Sequence, residues 1–91
     1  MARLPDNEIA EKLKTVPGWE RKGDLIERVY RFADYKASMA FANRVAALAD
    51  EMDHHPDMLV QYDRVTLSLS SHDSGGLTER DFRLAGRIDG K

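Results

Sequence analysis

The sequence contains no cysteine, which excludes disulfide bonds and metal sites built on thiolates. It also lacks any apolar run near the ~18 residues that suggest a membrane-spanning helix. The N-terminal segment MARLPDNEIAEKL has no apolar core of the kind found in signal peptides. We therefore expect a cytoplasmic protein that has no membrane partner.

The sequence also has no large excess of charge of one sign. It contains 14 Lys and Arg and 16 Asp and Glu, which gives a net charge of −2. Domains that bind nucleic acid normally present a basic face, so we expect no direct nucleic-acid binding. The 91 residues predict one domain over positions 1–91. Folding at this size buries only roughly 60–65% of the surface of the unfolded chain, so oligomerisation would add useful burial.

Apolar patterns and turn residues predict an alternation of helices and hairpins. A first helix begins after Pro5 and ends at Pro17-Gly18. A long helix begins after the capping residue Asp34, and a last helix begins after Thr78, with Asp81 completing a capping box. Two hairpins lie between the helices, formed by Trp19–Lys22 with Leu25–Phe32 and by Met58–Tyr62 with Val65–Ser70. The order α-β-β-α-β-β-α predicts an α+β fold, a four-stranded antiparallel sheet with helices packed on one face.

The long helix, from about Asp34 to Met52, is apolar around much of its circumference. One stripe suits the core and consists of Phe41, Val45, Leu48 and Met52. Small or apolar residues occupy much of the remainder, namely Met39, Ala40, Ala42, Ala46, Ala47 and Ala49. Because the helix of a small monomer usually keeps a polar face toward water, this pattern predicts a homodimer or homotetramer interface. The alternative is that alanine simply favours helix on an exposed face.

All three histidines of the chain, His54, His55 and His72, fall within nineteen positions. The first two follow the long helix, and the third follows the last predicted strand. A histidine in water titrates near ~6.5, so several in one region suit general acid–base catalysis. Two other interpretations stay open at this point. The pair before Pro56 can be a polar helix exit, or three imidazoles and a carboxylate can bind zinc, although no His-x-x-x-His pair is present.

A wider pattern of fixed spacing surrounds these histidines. It reads Asp50-x-x-x-His54-His55-Pro56, five residues, Tyr62, nine residues, His72, eight residues, Asp81. The segments Pro17-Gly18-Trp19 and Leu77-Thr78-Glu79-Arg80-Asp81 extend it. Over roughly the whole chain this pattern resembles the pterin-4a-carbinolamine dehydratase family. The family has the same α-β-β-α-β-β-α order, and its members are dimers or tetramers built around the long helix.

The resemblance implies an enzyme that dehydrates 4a-hydroxytetrahydropterin to quinonoid dihydropterin, without cofactor or metal. His54, His55 and His72 would be the catalytic set. Six further residues become candidates for binding the pterin, namely Asp50, Asp53, Trp19, Asp73, Arg80 and Asp81.

Most of these candidates also have a purely structural explanation. Asp50 can belong to an exposed helix face and Asp53 to a solvated helix end, and Asp81 can be a helix cap. Trp19 can belong to the core, and Arg80 can be solvated or hold a carboxylate. A second class of function is a partner protein that stabilises the dimer of a transcription factor, as animal members of the family do, through a helical surface. That role would not use the histidines.

Overall fold

The computed structural model describes residues 2–90, and it confirms the predicted order of elements. The helices and strands are α1 (Asp6–Leu13), β1 (Glu20–Lys22), β2 (Leu25–Arg31), α2 (Tyr35–Met52), β3 (Asp57–Gln61), β4 (Arg64–Leu69) and α3 (Glu79–Ile88). Each strand ends within one residue of its predicted limit. A short 3-10 turn, His72–Ser74, was not predicted.

The four strands form one antiparallel sheet in the order β1-β2-β4-β3, so the two longest strands lie in its centre. In β4, Val65, Leu67 and Leu69 are fully buried beneath the helices. Thr66 and Ser68, which alternate with them, are half-buried on the opposite face. The helices therefore cover one face of the sheet, as predicted. No helix within residues 2–90 is long and apolar enough to cross a bilayer.

Local capping signals define the starts of α2 and α3. The side chain of Asp34 accepts a hydrogen bond of 2.8 Å from the backbone N–H of Ala37. At α3, Thr78 and Asp81 form a complete capping box. The side chain of Thr78 accepts from the backbone N–H of Asp81, and the side chain of Asp81 accepts from the backbone N–H of Thr78. Leu77 and Phe82, on either side of this cap, are both buried in the core. These local bonds satisfy N–H groups that the first helical turn leaves free.

The apolar residues of α2 divide differently from the sequence prediction. Ala42 and Ala49 are buried in the core of their own chain, beside Phe41 and Val45. Ala40 and Ala47 alone are exposed among the six residues predicted for a second apolar side; Met39 and Ala46 are half-buried. The helix lies deep enough against the sheet for alanines on both flanks of the central stripe to be covered. The surface left for another subunit is therefore narrower than predicted.

Candidate active site

The end of α2 turns the chain sharply just before the two adjacent histidines. The backbone N–H of His54 donates to the carbonyl of Ala49 at 3.0 Å, and that of Asp53 donates to Asp50 at 3.2 Å. This pair of bonds is a Schellman motif, which usually places glycine at the left-handed position. Asp53 occupies that position here, with a φ of 50°. The reversed backbone brings His54 and His55 out of the helix at its end.

His54 is held by a buried carboxylate. Its side chain is only 9% exposed, and Nε2 lies 2.6 Å from Oδ1 of the fully buried Asp81. The other carboxylate oxygen of Asp81 accepts from Ser71 Oγ and from the backbone N–H of Thr78, both at 2.9 Å. Because a carboxylate accepts and does not donate, Nε2 of His54 carries the hydrogen in this pair. Only Nδ1 of His54 is left for chemistry with a substrate.

His55 and His72 are both exposed and line one cleft. Nε2 of His55 lies 2.8 Å from Oδ1 of Asp50, one turn back on α2. The backbone carbonyl of His72 accepts from the N–H of Gly75 at 3.2 Å, whereas its imidazole has no hydrogen-bond partner among residues 2–90. The cleft has a volume of about 70 Å³, and its walls also include Leu25, Asp57, Ser68, Leu69 and Ser70.

A second depression of about 270 Å³ adjoins this cleft and shares Leu25, Ser70 and His72 with it. Both volumes lie below the roughly 300 Å³ at which ordinary ligand pockets begin. The histidine site is therefore a small cleft that shares walls with the depression beside it. Two of the three predicted histidines, His55 and His72, line this cleft. The third, His54, immediately precedes His55 and is held by Asp81.

The loop that carries His72 is braced from two sides. Ser71 and Gly76 exchange backbone hydrogen bonds of 3.1 and 3.3 Å, which close the loop at its base. Arg80 donates to Asp73 at 2.7 Å, and this bond holds the pKa of the Asp73 carboxyl below its usual value. Of the two roles considered for Arg80, the structure shows the one in which it holds a carboxylate. Nε of Arg80 is buried and has no partner in the described part of the chain.

None of the six predicted substrate-binding residues forms a wall of these clefts. Asp50, Asp73, Arg80 and Asp81 lie beside them, where they hold a histidine or one another. The other two have different environments. Trp19 is 4% exposed in the core, where its indole N–H donates to Asp89 at 3.0 Å. Trp19 therefore lies in the core, one of the two positions that the sequence allowed for it. Its only polar group, the indole N–H, is satisfied there by Asp89. Asp53 is exposed at the helix end.

Sequence reasoning missed Leu25, Asp57, Ser68 and Ser70 as walls of the cleft. Asp57 could have been found, because it follows the His-His-Pro motif directly. Ser68 and Ser70 belong to the polar side of a strand whose alternation was recognised. Leu25 enters from β2, and only the tertiary pairing of strands brings it there.

Metal coordination finds little support in this geometry. Among residues 2–90, no three His, Asp or Glu side chains are grouped so that they could hold an ion. The histidines instead occupy three different environments. One is buried on a carboxylate, one is exposed on a carboxylate, and one is free. Such an arrangement offers nitrogens that differ in access and in hydrogen-bond partner, which suits the paired acid and base roles of an elimination.

Comparison with known proteins agrees with the fold and the motif. A family model described as pterin 4 alpha carbinolamine dehydratase matches residues 2–91. A protein of Thermomicrobium roseum, named provisionally as a pterin-4-alpha-carbinolamine dehydratase, is 52% identical over 88 residues, which cover 97% of this chain and 95% of the relative. A protein of Acidobacterium capsulatum with the same provisional name is 49% identical over 89 residues, which cover 98% of this chain and 97% of the relative.

Solved structures give the same result for the fold. A structure from Brucella melitensis, described as a transcriptional coactivator/pterin dehydratase, has a TM-score of 0.91 and 31% identity, over 96% of this chain and 95% of that one. A pterin dehydratase-like protein, described as a RuBisCO assembly factor in the alpha-carboxysome, has a TM-score of 0.65 and 25% identity, over 78% of this chain and 82% of that one.

Proposed function

We propose, since the chain belongs to the pterin-4a-carbinolamine dehydratase family, that it catalyses the dehydration of 4a-hydroxytetrahydropterin to quinonoid dihydropterin and water. The observation that carries this proposal is the histidine arrangement. His55 and His72 line one cleft, and His54 is fixed by the buried carboxylate of Asp81. The adjoining depression of about 270 Å³, which shares Leu25, Ser70 and His72 with this cleft, provides further space for a ring beside the histidines.

The reaction requires one proton to be added and one to be removed. The bond from C4a to the hydroxyl oxygen breaks, and the departing oxygen needs a proton to leave as water. The neighbouring ring nitrogen loses its proton, and its electron pair forms the new double bond to C4a. No electrons are gained or lost overall, so the elimination needs neither an oxidant nor a redox cofactor.

In this proposal the three histidines share the two proton transfers. His72 and His55 face the cleft, where each can donate to the leaving oxygen or accept from the ring nitrogen. His54 takes part through Nδ1, with Asp81 fixing its tautomer and stabilising it when protonated. Asp57, Ser68 and Ser70 provide polar groups in the cleft for the edge of the pterin ring. Asp50 and Asp73 support the site by holding His55 and Arg80.

The decisive experiment measures the rate of dehydration of chemically prepared 4a-hydroxytetrahydropterin. His54→Ala or His72→Ala should each lower the rate by ~10²-fold or more if the residue transfers a proton, and His55→Ala should reduce it less. Arg83→Ala is a suitable control, because Arg83 is exposed on α3 and outside both clefts. A double variant at His54 and His72 that is folded by circular dichroism and fully active would disprove this mechanism.

We also propose that the protein forms a homodimer or homotetramer in which α2 contributes to the interface. Ala40 and Ala47 are small and exposed, and they lie seven residues apart on one side of the helix. A second helix could approach closely there. A helical surface of this kind could alternatively serve a transcription-factor partner. The histidines favour the enzyme as the principal function, because a role limited to binding would not use them.

A further inference from the structure

A further depression lies away from the histidines, along one side of β2. Its volume is about 770 Å³, and it contains no histidine. Its walls come from β2, from α2, from the end of α3 and from the segment between α1 and β1. The residues that line it are Pro17, Arg28, Val29, Tyr30, Arg31, Phe32, Phe41, Arg44, Ile88 and Asp89. The proposed dehydration does not use any of these residues.

One edge of β2 is unpaired at this depression. β1 pairs only with Leu25–Glu27 of β2. Among residues 2–90, the rest of β2, from Arg28 onward, therefore has a paired strand on the β4 side alone. The backbone N–H of Phe32 donates to Asp63 across the β4 side at 2.7 Å. Because backbone groups alternate in direction along a strand, those of Val29 and Arg31 point toward the free edge. The edge therefore offers hydrogen-bond donors and acceptors for one additional strand.

The side chains around this edge leave positive charge uncompensated. Arg28 is paired with Asp89 at 3.0 Å. Arg44 donates to the carbonyl of Ile88 and has no carboxylate partner within residues 2–90. Arg31 has no partner at all in the same range, and the sheet register places it directly opposite Arg64.

Arg64 is paired with Asp63 at 3.5 Å, whereas the side chain of Arg31 has no carboxylate partner within residues 2–90. Like charges opposite one another destabilise a sheet, so an anionic group beside Arg31 would reduce its repulsion with Arg64. This charge is local, since the whole chain is slightly acidic with a net charge of −2.

The floor of the depression is aromatic on the helix side, and two arginines lie over its rings. Cζ of Arg28 is 4.6 Å from the centroid of Tyr30, and Cζ of Arg44 is 5.3 Å from that of Phe41. Tyr30, Phe32 and Phe41 form an aromatic cluster, with ring centroids 4.5 Å apart for Tyr30 and Phe41 and 5.1 Å apart for Phe32 and Phe41. Burial, followed by the hydrogen bond to Asp89, raises the pKa of Tyr30 well above its usual value, so its hydroxyl stays a donor to that carboxylate. A strand added beside β2 would thus face the aromatic rings with Arg28 and Arg44 on one side, and Arg31 on the other.

We propose that the free edge of β2, from Arg28 to Phe32, binds an extended peptide segment of a partner protein in which acidic and apolar residues alternate. The segment joins the sheet as an additional strand, through the backbone groups of Val29 and Arg31. Its apolar side chains rest on the aromatic cluster, and its acidic side chains meet Arg31. Alternation matches the period of a strand, whose successive side chains point to opposite faces.

Other occupants fit these observations less well. A second copy of this chain, paired through the same free edge from Arg28 to Phe32, would bring two further arginines and no carboxylate from that edge. Nucleic acid would gain from the arginines but could not use the strand-like backbone groups. An acidic segment satisfies both the charge and the hydrogen bonds, which is the usual combination in peptide recognition by strand addition.

The test titrates a capped peptide of alternating glutamate and valine into the ¹⁵N-labelled full chain. The amide signals of Val29 and Arg31 should shift, while those near His72 stay unchanged. A peptide with lysine in place of glutamate should not bind. A peptide N-methylated on the amides that face β2 should also fail to bind, because it keeps the charges but cannot donate to the strand.

Charge reversal on the protein provides the matched comparison. Arg31→Glu should weaken binding by about five- to tenfold, in line with replacing an attractive surface contact by a repulsive one. Arg83→Glu makes the same change in net charge at another exposed arginine that has no partner in residues 2–90, and it should leave the affinity unchanged. Both variants should retain dehydration of the pterin, so failure of this proposal is separate from failure of the proposed enzyme.

Three results would overturn the proposal. Equal loss of binding in the two variants would show a response to net charge alone. Undiminished binding of the N-methylated peptide would exclude strand addition. Slow hydrogen exchange at Val29 and Arg31 in the free protein at low concentration would show that the edge is already covered.

Discussion

Replacement of Asp81 by asparagine tests whether the buried carboxylate orients His54. Asparagine has nearly the same shape, and its amide oxygen can still accept from the backbone N–H of Thr78 and from Ser71, which the native carboxylate does at 2.9 Å. The amide nitrogen then faces Nε2 of His54. Because that nitrogen only donates, His54 must accept at Nε2 and carry its hydrogen on Nδ1. The atom left for the substrate is thereby changed from an acceptor to a donor.

The expected magnitudes follow from these contacts. A hydrogen bond to a charged group contributes roughly 1.5–3 kcal/mol, and the variant keeps the helix cap, so we expect a loss of about 2 kcal/mol in the free energy of unfolding. For a domain of this size that loss lowers Tm by roughly 8–16 °C. The dehydration rate should fall by ~10²-fold or more, mainly in kcat, if His54 has to present Nδ1 as a base.

The control is Asp50→Asn, which makes the same substitution at the exposed pair formed by His55 and Asp50. Here the side chain is solvated, so the change in stability should stay within about 0.5 kcal/mol. The assay compares kcat, KM and thermal unfolding for both variants. Full kcat in folded Asp81→Asn protein would show that the orientation of His54 has no part in the reaction, and the proposed role of Asp81 would fail.

Three further predictions concern the metal, the helix end and the assembly. Dialysis against a strong chelator should leave the dehydration rate unchanged, and activity lost on dialysis but restored by zinc would refute a mechanism based on histidines alone. Asp53→Gly should leave the free energy of unfolding within about 1 kcal/mol of the native value or raise it, because glycine accepts the left-handed conformation; an accompanying rise in KM would show that the Asp53 carboxylate binds the pterin. Ala47→Arg should separate subunits joined through α2, as should Ala46→Arg, although Ala46 is half-buried and the exposed Ala47 is the cleaner site; a monomeric mass of the unaltered protein in light scattering would refute the interface.

Much of the fold could be predicted because its signals are local. The cap at Asp34, the capping box of Thr78 and Asp81, and the turn residues between strands each act over a few positions. The alternation of β4 likewise reports one covered face. The strand order could not be predicted in the same way, since antiparallel hairpins can be arranged in several ways. The pairing of β2 with β4 joins the two hairpins, and it depends on the helices above them.

The candidate site could be predicted in its residues but not in its contacts. His54 and Asp81 are 27 positions apart, and their hydrogen bond depends on the packing of α2 against α3. The division of the α2 alanines had a similar cause, because small residues fit both a core and a subunit interface. For Trp19 the deciding feature was Asp89, a distant acceptor that sequence alone could not assign to it.

Asp81 shows why two interpretations of one residue need not compete. As a helix cap it needs one oxygen near the N-terminus of α3, and as a positioning residue it needs one near His54. Its two carboxylate oxygens serve these needs separately, Oδ2 for the cap and Oδ1 for the histidine. The cap fixes the carboxylate in place, so His54 is oriented by a group that cannot rotate without breaking the first turn of α3. The cap at the start of α3 therefore also fixes the orientation of the His54 ring, and with it Nδ1, the nitrogen that we propose acts on the pterin.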